Sequence, residues 1–194
     1  MVVADPVPVP VEFVPAGRAV AEPVTKVGGR PVWLDAPQWP LSAESGEPME
    51  FIGQFELPGD RLAYVFMTGD ASDTFAPDGG ENAVVVQPGG RMPPFVAGVR
   101  ELTSGPSVGD DHLAVPGKPD EDGETWQFLG GPGVEPLWLQ GEETPGEEAG
   151  EPWTLLVQLD ATALPVDVDF GDAGIGYAFL SPDGGEGRFL WQCA

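Results

Sequence analysis

Gly46-Glu47-Pro48-Met49-Glu50-Phe51-Ile52-Gly53-Gln54-Phe55-Glu56-Leu57 and Gly150-Glu151-Pro152-Trp153-Thr154-Leu155-Leu156-Val157-Gln158-Leu159-Asp160 are the same phrase written twice. Each opens on Gly-Glu-Pro, enters a short apolar run and carries a glutamine inside it, the two glutamines lying 104 residues apart. Turn residues followed by aromatic and branched aliphatic side chains are a strand signal. The match extends outward in the same order. Val27-Gly28-Gly29-Arg30-Pro31-Val32-Trp33-Leu34 returns as Leu129-Gly130-Gly131, three inserted residues, then Glu135-Pro136-Leu137-Trp138-Leu139. Gly59-Asp60 before Leu62-Ala63-Tyr64-Val65-Phe66 returns as Gly171-Asp172 before Ile175-Gly176-Tyr177-Ala178-Phe179, and the strand ending at Gln87 returns as one ending at Gln192. Collinear matches at this spacing predict a domain duplication rather than a solenoid repeat.

Other segments share the pattern. RLAYVFM, NAVVVQ, TWQFLG, IGYAFL and RFLWQC are short and bounded by Gly, Pro, Asp or Ser. No window of helical length keeps apolar residues at i, i+3 and i+4 without a Gly or Pro interrupting it. The expected fold class is therefore β-rich, all-β or α+β with little helix, built from two pseudo-symmetric units. The expected organisation is a Pro/Val-rich arm over 1–26, a first repeat over 27–100, an acidic Gly/Pro-rich connector over 101–128 and a second repeat over 129–194, in one compact domain. The repeats proper cover about 27–88 and 129–193. Prolines at 6, 8, 10, 15 and 23 predict that the arm is polyproline-like or an edge strand, because proline cannot donate to a ladder. Two packings stay open: one continuous sheet system, or two modules across a cleft.

Composition narrows the function. Eight Lys and Arg stand against 32 Asp and Glu, a net charge of −24. That charge argues against nucleic acid, whose binding depends on cationic side chains releasing counterions from phosphate, and against anionic membrane surfaces. One cysteine and one histidine leave no disulfide within the chain and no multi-histidine metal centre. There is no run of 18 apolar residues, and the N-terminus lacks the basic region of a signal peptide. The expected compartment is the cytoplasm. Ten Phe and six Trp are too many for a disordered tail, despite 28 Gly and 23 Pro.

The motifs VGGRPVWL, QWPL and PMEFIGQFEL of the first half, with EPWTLLVQLD, DFGDAGIGYAFL and FLWQC of the second, resemble the YwqG-like family of bacterial domains of unknown function, over about residues 26 to 193. The resemblance implies a β-rich, internally duplicated fold. It brings no catalytic residue or cofactor with it.

Few residues suggest chemistry. Gly105-Pro106-Ser107-Val108-Gly109 matches the nucleophile-elbow pattern, but no helix follows the serine, and the one imidazole, His112, is five residues on in the same loop. Asp167, Asp169 and Asp172 are the candidate metal ligands. The first two share a face of extended chain, and the Gly-Asp turn could swing the third towards them, an oxygen set that suits Ca²⁺. The run 120–124 is a weaker candidate of the same kind. Gly28-Gly29 and Gly130-Gly131 lack the Lys-Ser/Thr and helix start of a phosphate loop. Cys193 has only Arg188 near it in sequence, which favours packing over nucleophilic chemistry.

Gln54, Gln158, Trp33 and Trp138 are the candidate binding residues. Each glutamine either ties down a neighbouring loop backbone or meets its counterpart near a pseudo-twofold axis to line a pocket. The tryptophans either bury themselves in the core or form an aromatic platform in a cleft between the halves. Three functions follow in order of preference. The first is a non-enzymatic module that binds a protein with a basic surface, an immunity or regulatory role being one such case. The second is a small-ligand or Ca²⁺-binding domain using the cleft between the repeats. The third is a hydrolase working with paired carboxylates. No other cofactor is expected.

Overall fold

The computed structural model describes residues 7–119, 125–146 and 150–194. Among them there is no helix. Ten strands close into an antiparallel barrel, and two more form a small separate sheet. In chain order the strands are β1 (Val9–Pro15), β2 (Lys26–Val27), β3 (Trp39–Pro40), β4 (Glu50–Leu57), β5 (Arg61–Met67), β6 (Asn82–Gln87), β7 (Val99–Arg100), β8 (His112–Pro116), β9 (Phe128–Leu129), β10 (Thr154–Asp160), β11 (Ile175–Leu180) and β12 (Gly187–Gln192). Around the barrel the order is β1-β8-β2-β4-β5-β6-β12-β11-β10-β9, and β9 pairs back onto β1. The β-rich expectation holds, and the packing is one continuous closed sheet with β3 and β7 outside it. Closure leaves no long edge for another chain to extend.

Along β4, β5, β6 and β11 both faces of the sheet are buried, which is why these strands read as continuous apolar runs instead of alternating. On β5, Ala63, Val65 and Met67 join the barrel interior, while Leu62, Tyr64 and Phe66 join an outer cluster with Trp39, Met49 and Phe51. On β11, Ala178 faces inward, whereas Ile175, Tyr177 and Phe179 join a second outer cluster with Phe128, Leu155 and Leu190. The described residues therefore form three apolar cores: one inside the barrel and one outside on each half. Trp33 covers the first outer cluster and Trp138 the second.

The ladders around the two glutamines share one register. Lys26 on β2 pairs with Gln54 on β4, which pairs with Tyr64 on β5, which pairs with Val85 on β6. Phe128 on β9 pairs with Gln158 on β10, which pairs with Tyr177 on β11, which pairs with Leu190 on β12. Each of β4 and β10 carries a register shift at the same place, between Phe51 and Gly53 and between Leu155 and Val157.

The segment from 7 to 26 and the connector are less peripheral than their composition predicts. Residues 9–15 are a full barrel strand, and the segment assigned as a connector contains another, β8. Val11 N–H donates to the Gln127 carbonyl, and Ala114 N–H donates to the Thr25 carbonyl, both at 3.2 Å. Proline is tolerated in β1 because Pro10 and Pro15 sit near its ends. Val11, Phe13 and the residues between them supply the donors and the inward apolar face.

Candidate functional site

The four candidate binding residues do not share a cleft. Gln54 and Gln158 are fully buried, each beneath its own covering loop. The Gln54 amide oxygen accepts the Val32 N–H at 2.8 Å, and its nitrogen donates to the Val24 carbonyl at 2.9 Å. The Gln158 oxygen accepts the Leu137 N–H at 2.9 Å, and its nitrogen donates to the Trp126 carbonyl at 3.0 Å. The amides are consumed in holding loops, and neither reaches the other. Buried amides must be paired in this way or they cost stability.

Trp33 lies over Tyr64 at 4.8 Å between ring centroids and over Phe66 at 6.1 Å. Trp138 repeats this over Tyr177 at 4.6 Å and Phe179 at 6.0 Å. Both indoles are half-buried lids on separate outer clusters, not one platform. The Trp33 ring nitrogen is buried and has no hydrogen-bond partner among the described residues. The tyrosine hydroxyls finish each lid. Tyr64 donates to the Val32 carbonyl at 2.7 Å, and Tyr177 donates to the Leu137 carbonyl at 2.8 Å. Burial pushes both phenols up to about 12. Gln87 and Gln192, which close the repeated strands, do the same work one turn later. Gln87 accepts from Asp35 N–H, and Gln192 accepts from Leu139 and Gln140 N–H.

Ser107 lies against Phe51 in a short parallel bridge, and its hydroxyl reaches only the Phe51 and Gly109 carbonyls. His112 is on β8 with Nδ1 at 2.9 Å from the Asp110 carbonyl, so no serine–imidazole pair forms. Gly28 and Gly29 are at φ +71° and +68°. A Cβ on Gly28 would collide with the Asp110 backbone carbonyl and one on Gly29 with the Asp111 carboxylate, so the pair serves close packing onto the 109–111 segment.

The metal candidates are exposed, and they do not converge. Among the described residues no group of three or more His, Cys, Asp or Glu could hold a metal ion. Asp169 is used locally, its carboxylate accepting the Gly171 N–H at 2.9 Å to shape the turn. The run 120–124 lies outside the described residues.

What Asp167 and Asp169 do line is a hollow of about 640 Å³ at one end of the barrel. Strand directions define that end: β4, β6 and β11 start there, and β5, β10 and β12 finish there. Glu50 and Asp70 come in from β4 and the turn after β5, and Pro106–Gly109 forms another wall. A second hollow of about 420 Å³ shares Asp70 and Asp169 and adds Asp73, Phe75 and Trp191. Phe75 is half-exposed and meets Trp191 edge-on at 5.9 Å. Among the described residues no Lys, Arg or His lines either hollow. At the other end Arg61, Arg91 and Arg188 gather on the 183–187 loop, through Gly184, Asp183 and Glu186. Glu50, Asp70, Phe75 and Trp191 are invisible as a group in the sequence, because Asp70 and Asp169 lie far apart in the chain and only barrel closure brings them together.

Among the described residues no helix is long and apolar enough to cross a membrane. No protein-family model matches the chain, and no curated protein matches it.

Proposed function

We propose that this chain is a non-enzymatic interaction module that engages a partner with a basic surface through the acidic end of its barrel. The carrying observation is the convergence of Glu50, Asp70, Asp167 and Asp169 from separate segments around one hollow that no cationic side chain enters. A concentration of one sign of charge speeds association with the opposite sign and rejects like-charged partners. Half-exposed Phe75 beside Asp70 and Asp73 offers an apolar contact within the same surface, of the kind that anchors protein interfaces. A duplicated origin is part of this reading. The recurring Gln, Trp and Tyr contacts support it, and a duplicated β frame is what the YwqG-like resemblance implies.

The test is capture from an extract of the native cells, compared between the wild-type chain and an Asp70→Asn/Asp167→Asn/Asp169→Asn variant. A basic protein retained at physiological salt by the first and lost by the second is the expected result. Basic proteins that leave both chains together as salt rises would reduce the charge to a solubility device.

A further inference from the structure

The two mouths of the barrel occupy matched positions but are finished differently. At the acidic mouth the connection from β10 to β11 spans residues 161–174 and sends Leu164 and Phe170 into the barrel interior. Val108 joins them from the neighbouring segment, and the Asp167 N–H donates to the Val108 carbonyl at 3.2 Å. These side chains close the interior from below. At the opposite mouth the matching connection, from β4 to β5, is only Pro58-Gly59-Asp60. Three residues are too few to fold back over the opening, and among the described residues nothing else takes the place of Leu164 and Phe170. The result is a cavity of about 570 Å³ floored by Phe55, Leu57, Leu129, Leu156 and Leu180. Cavities of this size and lining suit small ligands.

The rim chemistry selects among them. Glu56 and Asp183 both border the cavity, but each is already engaged. Glu56 accepts from the Thr25 N–H and hydroxyl, and Asp183 is held by Arg91, Ser181 and the Gly185 N–H. Arg61 is different. Its Nε and Nη2 donate to the Pro88 and Gly184 carbonyls, Nη1 has no acceptor among the described residues, and the guanidinium forms no ion pair there. A half-buried guanidinium fixed by two carbonyls, with donor capacity left over beside an apolar floor, complements an anion carrying an aliphatic chain.

We propose that this open mouth is a binding site for a small amphipathic anion, an aliphatic carboxylate whose chain lies on Leu156, Leu180 and Leu57 and whose carboxylate meets Arg61. The site is separate from the acidic end and does not depend on the partner proposed for it.

Decanoate is the probe, titrated calorimetrically into the full chain, with decylammonium as the charge-reversed control. The expected result is one decanoate per chain, a raised melting temperature and at least tenfold weaker binding of decylammonium. Leu156→Trp, which fills the floor, abolishes uptake. Arg61→Gln weakens it about tenfold, and Arg61→Lys recovers part of the loss. Asp167→Asn, at the other mouth, leaves it unchanged. Absence of decanoate binding to the wild-type chain, equal binding by the folded Leu156→Trp variant, or equal affinity for decylammonium would each overturn the proposal. Circular dichroism of each variant separates a lost site from a lost fold.

Discussion

Lys26 stands in the first half of the barrel where Phe128 stands in the second: Lys26 pairs across the sheet with Gln54, and Phe128 pairs with Gln158. Both side chains are fully buried. The ammonium is satisfied by the Gly28 carbonyl at 3.1 Å, the Arg30 carbonyl at 2.7 Å and the Asp111 carboxylate. Burial pulls the Lys26 pKa below its ordinary value, and Asp111 opposes that pull. Removing one member of such a pair leaves a charge stranded, whereas removing both leaves only neutral groups, the Gly28 and Arg30 carbonyls and the Val20 N–H, without their partner. Asp111→Ala should therefore cost about 3–5 kcal/mol, and Lys26→Met/Asp111→Ala should recover part of it. Urea denaturation of the two variants decides the matter. The pH dependence has a definite sign: the folded chain gives up the Lys26 proton before the unfolded chain does. The Lys26 contribution thus grows as pH climbs from the folded value towards 10.5, and Lys26→Met removes that growth.

The glutamines should behave as two independent pins. Gln54→Leu leaves the Val32 N–H and the Val24 carbonyl without their partner, and Gln158→Leu does the same to Leu137 and Trp126. A buried group left unpaired costs about 1–3 kcal/mol. The two sites lie under separate lids, so their losses should add within about 0.5 kcal/mol. A larger coupling in the double variant would mean that the two loops communicate, against the separation of the outer clusters.

Tyr64 and Tyr177 set an alkaline limit. Burial raises both phenols to about 12 in the folded chain, above the ordinary value of 10. Between those values the unfolded chain loses the protons that the folded chain keeps, so stability falls as pH rises from 10 to about 12. Below pH 10 the contribution is intact. Tyr64→Phe removes one hydroxyl bonded to Val32, at a cost of about 1 kcal/mol at neutral pH, and shallows the alkaline decline. Melting curves across that range, with phenolate absorbance followed at the same time, measure both effects.

The repeat phrase around Gln54 and Gln158 carries much of the fold, because a buried amide inside an apolar strand has few uses other than holding the next loop. Strand character in β4, β5, β6, β10, β11 and β12 follows from the same runs. Two features escape a reading of this kind. Val9–Pro15 and His112–Pro116 lack a repeated phrase, and the prolines of the first mask its role. Their place in the barrel comes from pairing with each other and with β2 and β9, and such long-range pairing leaves no local trace. The acidic hollow escapes for a related reason. Asp167 and Asp169 stand out as alternating acids on one segment, but Glu50 and Asp70 join them only because the sheet closes. Among the described residues Asp167, Asp169 and Asp172 are not brought together as a group that could hold a metal ion, and one Asp169 carboxylate oxygen accepts the Gly171 N–H.

The asymmetry between the mouths yields a last prediction. Phe170 is fully buried, packs on Phe189 at 5.6 Å between ring centroids and belongs to the interior core. Pro58, in the matching connection at the other mouth, is exposed. Truncating a buried phenylalanine removes its transfer energy and leaves a cavity, so Phe170→Ala should destabilise by about 3–5 kcal/mol. Pro58→Ala touches no core and should stay within about 0.5 kcal/mol. If Phe170 closes the acidic mouth, its removal should also make a second apolar site, and dry apolar cavities of this kind take up benzene. Benzene should then restore part of the stability lost in Phe170→Ala. Chemical denaturation of both variants, with and without benzene, checks this. A Phe170→Ala loss no larger than that of Pro58→Ala would place Phe170 outside the barrel's closure, and the two mouths would then be alike.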